Sequence, residues 1–326
     1  MKQWIKAVGT GPHGSRDLTV DEARQAASAI LDQKATPAQI GGLLLAMRTK
    51  GEADTEMEGF LLEGRARLAT RPQSLPILEA LDIGDPYDGH IRTPSLSVPA
   101  ALLASAAGLP IVLHGYTALP AKFGVGLPEL WQAMGLPFVP IEAARDALMD
   151  TGVVCLSQER ILPEWANLRP LRQELGLRTL LNTVEKCLNP LNARTMVAGY
   201  FHEPLAGRLH QLLHRIYPDR QITLVAGSEG SIDLHAHRPT RYHPHENLSS
   251  GLPGTIDLPF PFPPLPELEP SPLAHAQFVW SSLLEKNHPH RDLVRRTAAF
   301  LLTVANRSPS VEMALKRLPE KPALRP

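Results

Sequence analysis

Several groups of residues in this 326-residue sequence carry side chains able to do chemistry. His90 and Arg92 stand close together and offer two cationic groups to a phosphate. Lys122 adds a point charge that can steer an anion, although a single lysine is more often a solvated surface residue. Arg172 presents a planar fork suited to a carboxylate or a phosphate. Glu229 and Asp233 carry the hard oxygen donors that Mg²⁺ prefers, and a suitable bend between them would make a pair. His235, His237, His243 and His245 form a dense HAH…HPH cluster. Imidazole ligates transition metals, but such spacing in a polar, proline-containing loop reads first as exposed histidines. Lys286, Arg291, Arg295 and Arg296 place basic groups along one helical side, a candidate nucleic-acid patch or simply a solvated helix face. No zinc finger, P-loop or RNA-recognition signature is present, and no Ser-His-Asp or Cys-His arrangement stands out.

The elements that must position these residues fall into two regions. Residues 1–72 read as short helices. Thr19 and Glu22 have the spacing of a capping box, and so do Thr36 and Gln39, with Pro37 at the first helical position. Ile40, Leu43, Leu44 and Met47 then line one apolar face, and Gly51 ends that helix. Asp54 is expected to cap the next helix, whose face is Met57, Phe60 and Leu61. Beyond Arg71-Pro72, short apolar runs alternate with helix-length segments: ILEALDIG, PIVLHG, VVCLS and QITLVAGSEG. That alternation predicts an α/β domain over 73–326 with a mostly parallel central sheet, whose ligands sit at the carboxyl ends of the strands. Segment 165–190 is expected to pack on the helical domain. Residues 251–272 hold eight prolines and read as an extended surface connection, packed through Phe260, Phe262 and Leu265 rather than offered as a proline-rich ligand.

Composition excludes some roles. Lys plus Arg and Asp plus Glu number 33 each, so no global field draws the chain to nucleic acid or anionic lipid; such binding needs a local patch. Cys155 and Cys187 are too few for a disulfide framework and read as reduced core residues. The first residues, MKQWIKAVGTGPHG, have no apolar leader core, and no run is long enough to span a bilayer, so a soluble, cytoplasmic protein with no membrane partner is expected.

Four blocks carry a resemblance. ATPAQIGGLLLAMRTKGEADTEMEGF (35–60) is similar to the second and third helices of the anthranilate phosphoribosyltransferase family, glycosyltransferase family 3. DIGDPYDGHIRTPSLS (82–97) stands where that family has its glycine-rich loop, and LHGYTALPAKFGVGLPELWQAMG (113–135) where it has its KHGNR block. LRQELGLRTLLNTVEKCLNPLNA (171–193) resembles the family's R-x-x-LG-x-RT segment, so the likeness spans roughly residues 15–300. It implies an amino-terminal helical domain, a larger α/β domain and a homodimer formed through the helices. It also implies transfer of a phosphoribosyl group from phosphoribosyl pyrophosphate to anthranilate, with Mg²⁺ on the pyrophosphate. Gly84, Gly89, Ser95, Ser97, His114, Gly115 and Lys122 fall on or near the implied phosphate-binding positions. Arg172 falls on the arginine that would face the anthranilate carboxylate, whereas Arg178 and Asn182 would hold helix packing.

The loops depart from that pattern. Asp85, Pro86, Tyr87 and Asp88 fill the turn between Gly84 and Gly89, adding carboxylates that repel pyrophosphate and a proline without an N–H. Leu113, Tyr116 and Thr117 replace a lysine, an asparagine and an arginine. The family's metal-binding Asp-Glu pair becomes Ile232-Asp233. Two readings follow. One is a divergent member that needs no metal and binds nucleic acid or another phosphate-bearing ligand. The other is an active phosphoribosyltransferase, with Mg²⁺, acting on anthranilate or a related aromatic acceptor through His90, Arg92, Lys122 and Arg172.

Overall fold

The computed structural model describes residues 1–11, 13–85, 88–245, 254–256 and 262–324. Four helices open the chain: α1 (Lys2–Gly9), α2 (Val20–Leu31), α3 (Pro37–Lys50) and α4 (Asp54–Arg67). Both capping boxes form. The Glu22 N–H donates to the Thr19 hydroxyl at 3.2 Å while the Thr19 N–H donates to the Glu22 carboxylate at 3.0 Å. Thr36 and Gln39 repeat the exchange at 3.1 and 3.3 Å. Gly51 follows α3 at φ 92°, a conformation that favours a residue without Cβ. Asp54 is not a cap. Ala53 occupies that position, and its N–H donates to Glu56 at 2.9 Å. Glu56 is fully buried and also accepts from the Leu18 N–H and from Lys50, so one carboxylate ties three segments of the helical domain together.

The second domain is built on a seven-stranded sheet: β1 (Leu78–Gly84), β2 (Ile111–Gly115), β3 (Val153–Ser157), β4 (Ala193–Gly199), β5 (Gln221–Val225), β6 (Thr240–His243) and β7 (Gly254–Ile256). Its order is β3-β2-β1-β4-β5-β6-β7; the pairs among β1 to β5 are parallel, and those of β6 with β5 and β7 are antiparallel. The apolar runs anticipate four of the five parallel strands. They miss β4, whose opening Ala-Arg-Thr interrupts the apolar pattern. Val112, Val154, Met196 and Ile222 face a core shared with α2, α3 and α4. Ile83, Leu113 and Val197 face a second core with α5 (Ser97–Ala106) and the helix Arg291–Val304.

The proline-rich segment is only partly a connection. Residues 254–256, which contain no proline, form the edge strand β7, and Phe262 and Leu265 pack half-buried on the second core. Phe260 lies outside the described residues. Among the described residues no helix is long and apolar enough to cross a membrane.

A buried arginine helps to join the domains. Arg65, at the carboxyl end of α4, is buried and donates to the Leu188 carbonyl at 2.6 Å and to the Tyr217 hydroxyl at 2.8 Å. Trp165, Leu168, Leu180 and Val184 pack in the same core as Phe60 and Leu61, so segment 165–188 lies against the helical domain. Removing the guanidinium leaves buried acceptors without donors. Arg65→Leu is therefore expected to lower the unfolding free energy by about 3 kcal/mol, read as a shift in the denaturant midpoint at unchanged slope.

Candidate functional site

Strand order reverses direction between β1 and β4, and in open parallel sheets the crevice for a ligand lies outside the carboxyl ends at that point. Three loops and one segment supply it with charge. The loop after β1 brings Asp85, Asp88 and His90; the loop after β2 brings Lys122; the loop after β5 brings Glu229 and Asp233. Arg178 and Lys186 arrive from the segment packed on the helical domain.

The β1 and β2 loops cross at backbone contact. His90 and Val125 exchange N–H···O bonds at 3.0 and 2.8 Å, and the Gly124 N–H donates to the Asp88 carbonyl at 3.0 Å. A Cβ on Gly89 would lie 2.4 Å from the Gly124 carbonyl oxygen, and one on Gly124 would lie 2.5 Å from that of His90. Glycine is required here for the chain crossing, and Gly89 also sits at φ 76°.

That crossing buries His90 between two carboxylates. Nε2 lies 3.5 Å from Asp85 Oδ1 and Nδ1 lies 3.8 Å from Asp233 Oδ2. Burial alone would lower the imidazole pKa, but Asp85 and then Asp233 outweigh it and hold the ring cationic, pushed up to about 9. Burial pushes Asp233 up to about 6 against the pull of His90. Asp233 Oδ2 also accepts the Leu96 N–H at 3.0 Å, at the amino terminus of α5, where the helix dipole favours an anion. Ser97 donates to Asp85 at 3.3 Å and its hydroxyl lies 2.9 Å from that of Ser95, so both serines face inward.

Glu229 makes the other centre. Its Oε1 accepts the Arg92 N–H at 2.8 Å, the Thr93 N–H at 3.1 Å and the Ile91 N–H at 3.3 Å. Its Oε2 lies 3.1 Å from Lys122 Nζ. Burial opposes ionisation, but Lys122 and the Arg92 N–H hold the Glu229 pKa below the usual carboxylate value. Asp88 stands beside this pair, 3.6 Å from Lys122 and 2.5 Å from Arg178 Nε.

Several residues expected to bind ligand are committed elsewhere. Gly84 has no room for a side chain because the Lys186 carbonyl oxygen would lie 2.2 Å from its Cβ; the approach it permits is by backbone. Arg92 contributes its N–H to Glu229, while its side chain is exposed. His114 is buried against Asp82 at 3.2 Å, and Gly115 makes room for Leu127. The fork of Arg172 is spent on buried Glu185 at 2.5 and 3.0 Å, so it is a packing pair instead of an acceptor contact. The proposed basic patch dissolves as well. Arg291 and Arg295 donate to carbonyls of 283 and 319, Arg296 pairs with Asp292, and Lys286 stays exposed in the turn before the last long helix. Arg291 and Arg295 serve to fasten the carboxyl-terminal segment.

The histidine cluster is exposed only in part: His237 faces solvent and His245 is half-buried. His235 and His243 are buried, and His243 meets Glu203 at 3.1 Å beside His210, while the His245 ring lies 5.0 Å from that of His214. Among the described residues no group of three or more His, Cys, Asp or Glu is placed to hold a metal ion.

Two family models match the chain: the helical bundle domain of a glycosyl transferase family over residues 2–67 and the a/b domain of that family over 89–321. The chain belongs to this family. Among its relatives, an anthranilate phosphoribosyltransferase of Rhodospirillum rubrum is 28% identical over 94% of this chain and 86% of its own length. One from Natronomonas pharaonis is 31% identical over 72% of this chain and 68% of its own. The fold is that of the Thermus thermophilus anthranilate phosphoribosyltransferase, with a TM-score of 0.77 at 24% identity over 97% of this chain and 93% of that one. The Saccharomyces cerevisiae enzyme, solved in complex with phosphoribosyl pyrophosphate and Mg, gives a TM-score of 0.78 at 18% identity, covering 97% and 91%.

For a glycosyl transferase of this family the metal question turns on three side chains. Ile232 is buried in the second core and points its alkyl chain there. Asp233 is taken up by α5 and His90, and Glu229 by the amides of 91–93 and Lys122. Glu229 and Asp233 Oδ2 are thus engaged within the chain, Asp233 Oδ1 is buried without a hydrogen-bond partner among the described residues, and Ile232 offers no donor oxygen, so the three do not make a ready acidic pair. Sequence reasoning missed three members of the site. Arg178 was read as helix packing and instead reaches Asp88. Lys186 donates to the Gly199 carbonyl at 2.7 Å, and burial lowers its pKa. His275, on the helix Pro272–Leu284, is buried with no hydrogen-bond partner on either nitrogen among the described residues; burial takes its pKa down to about 4, helped by the His90 charge. An isolated histidine in an apolar helix gives no signal of such a position.

The His90 proton carries a pH dependence. The folded chain holds it more tightly than the ordinary pKa of about 6.5 allows, so its contribution is full below that value and is lost as pH rises through about 9. Between pH 7 and 10 the melting temperature should fall more steeply for the wild-type chain than for His90→Gln. Parallel profiles over that range would contradict the buried imidazolium.

Proposed function

We propose that the chain is a phosphoribosyltransferase that moves a phosphoribosyl group from a diphosphate donor to the amine of anthranilate or a related aromatic acceptor. One observation carries this reading: three consecutive backbone N–H groups, of Ile91, Arg92 and Thr93, converge with Lys122 on a single oxyanion at the carboxyl end of β1. Successive amides in such a turn form an anion nest. Phosphoryl oxygens use the same donors as a carboxylate, and as the donor's bond to ribose breaks, negative charge grows on the departing diphosphate. Donors fixed before the reaction stabilise that charge without reorganising. The relatives' activity agrees with this reading. Mg²⁺, present with phosphoribosyl pyrophosphate in the solved yeast complex, would here come with the diphosphate, and none of the steps assigned to this chain's residues passes through it.

Nucleic-acid binding has no comparable support, because Arg291, Arg295 and Arg296 are engaged within the chain. A homodimer through the helical domain belongs to the proposal as the family resemblance implies it.

Purified protein given phosphoribosyl pyrophosphate, Mg²⁺ and anthranilate should release pyrophosphate as anthranilate fluorescence is lost. Lys122→Met should lower kcat/KM about a hundred-fold, and, because it leaves Asp88 and Glu229 without their cation, it should also lower the melting temperature. No turnover by the wild-type chain at any donor concentration would defeat the proposal.

A further inference from the structure

Glu229 holds the place that an incoming phosphate needs. Its carboxylate comes from the β5 loop and lands on the β1 loop, more than 130 positions earlier in the chain. Every donor of the nest is engaged by it: the three amides of 91–93, the Thr93 hydroxyl at 3.4 Å and the Lys122 ammonium. The backbone supports the same conclusion from another side. Glu229 lies at φ 54°, ψ 17°, a left-handed conformation that costs a residue with a side chain, and Gly230 follows at φ 82°. Non-glycine residues keep such a conformation where the surroundings hold them in it, and such residues gather at ligand clamps and switch regions. Beside Gly230 there is space, since its nearest neighbour for an added Cβ is Phe201 Cβ at 3.8 Å. The turn therefore has a hinge residue next to the strained one.

We infer that Glu229 is an internal latch, a tethered carboxylate that occupies the anion nest and must be displaced by a phosphate or diphosphate oxygen. The inference rests on the proposed transferase reading and adds how its donor site is closed. A tethered group competes at an effective concentration set by its short loop, in the millimolar range for flexible connections. A free anion overcomes it through its greater charge and its larger number of acceptor oxygens. Latched, the two loops are joined across the crevice; unlatched, Lys122 and the amides face the ligand and the 228–230 turn relaxes.

Inorganic pyrophosphate, titrated by calorimetry into the full-length chain as its Mg²⁺ complex, tests this directly. Glu229→Ala should bind it at least ten-fold more tightly than wild type, Glu229→Gln should fall between them, and adding Lys122→Met to Glu229→Ala should remove the gain. Melting temperatures of the variants, measured alongside, identify any that fail to fold; Glu229→Gln keeps the shape of the side chain should the alanine variant do so. Equal affinity in wild type and both Glu229 variants overturns the latch and leaves the transferase reading standing. A gain that survives loss of Lys122 overturns it too, because the anion then sits outside the nest. Pyrophosphate binding by none of the proteins removes the nest as a donor site, and both readings fall together.

Discussion

Two buried carboxylates can face one another across a crevice only if a cation stands between them, and the loops of this protein are arranged around that requirement. A unit charge pair at 4 Å is worth roughly 4 kcal/mol at an effective dielectric of about 20, while burying each ion costs several kcal/mol. One contact barely offsets the burial of one ion. His90 makes two, with Asp85 and Asp233, and Lys122 makes two, with Asp88 and Glu229. Arg178 supplies the remaining charge to Asp88. Much else follows from this pairing. The β1 and β2 loops must cross for His90 to reach its place, which forces glycine at 89 and 124. Asp233 must lie at the start of α5, which ties the β5 loop to the same helix that follows His90.

Short-range chemistry made the helical domain readable. Capping boxes at Thr19 and Thr36 and the glycine after α3 depend on residues three or four apart, and such signals survive in one sequence. Asp54 shows where that stops. It has the right type and position for a cap, yet Glu56 performs the task because Leu18 and Lys50, distant in sequence, also need its carboxylate. The sheet was readable where strands are continuously apolar. β4 was not, because an arginine and a threonine at its start, one of them paired with Glu79 at the sheet's end, break the run without breaking the strand.

The site divides along the same line. Which loops would carry charge followed from the positions of strand ends, and His90, Lys122, Glu229 and Asp233 do converge there. What each would hold did not follow, because a charged side chain read alone looks available. Arg172 looked like a fork awaiting a carboxylate and has one already, inside the protein, in Glu185. Arg291 and Arg295 looked like part of a surface stripe and are fastened to backbone carbonyls, among them those of 319 and 320. Local spacing cannot reveal a partner that the fold brings from far away, and in both cases that partner decides the role.

The same bookkeeping constrains what the crevice can accept. Glu229 carries one negative charge into a region where Asp85, Asp88 and Asp233 are already matched by His90, Lys122 and Arg178. Exchanging it for a diphosphate, with more than one charge, leaves the region short of cations. Two sources remain within reach of the nest. Arg92 has its N–H in the nest and its side chain exposed, so that side chain can fold back onto a bound oxyanion without breaking a contact to the described residues. A divalent ion travelling with the diphosphate supplies the rest without requiring a resident pair of acidic ligands. Ile232 and a displaced Glu229 are therefore compatible with a diphosphate ligand, provided that its counter-charge enters with it and is not waiting in the protein.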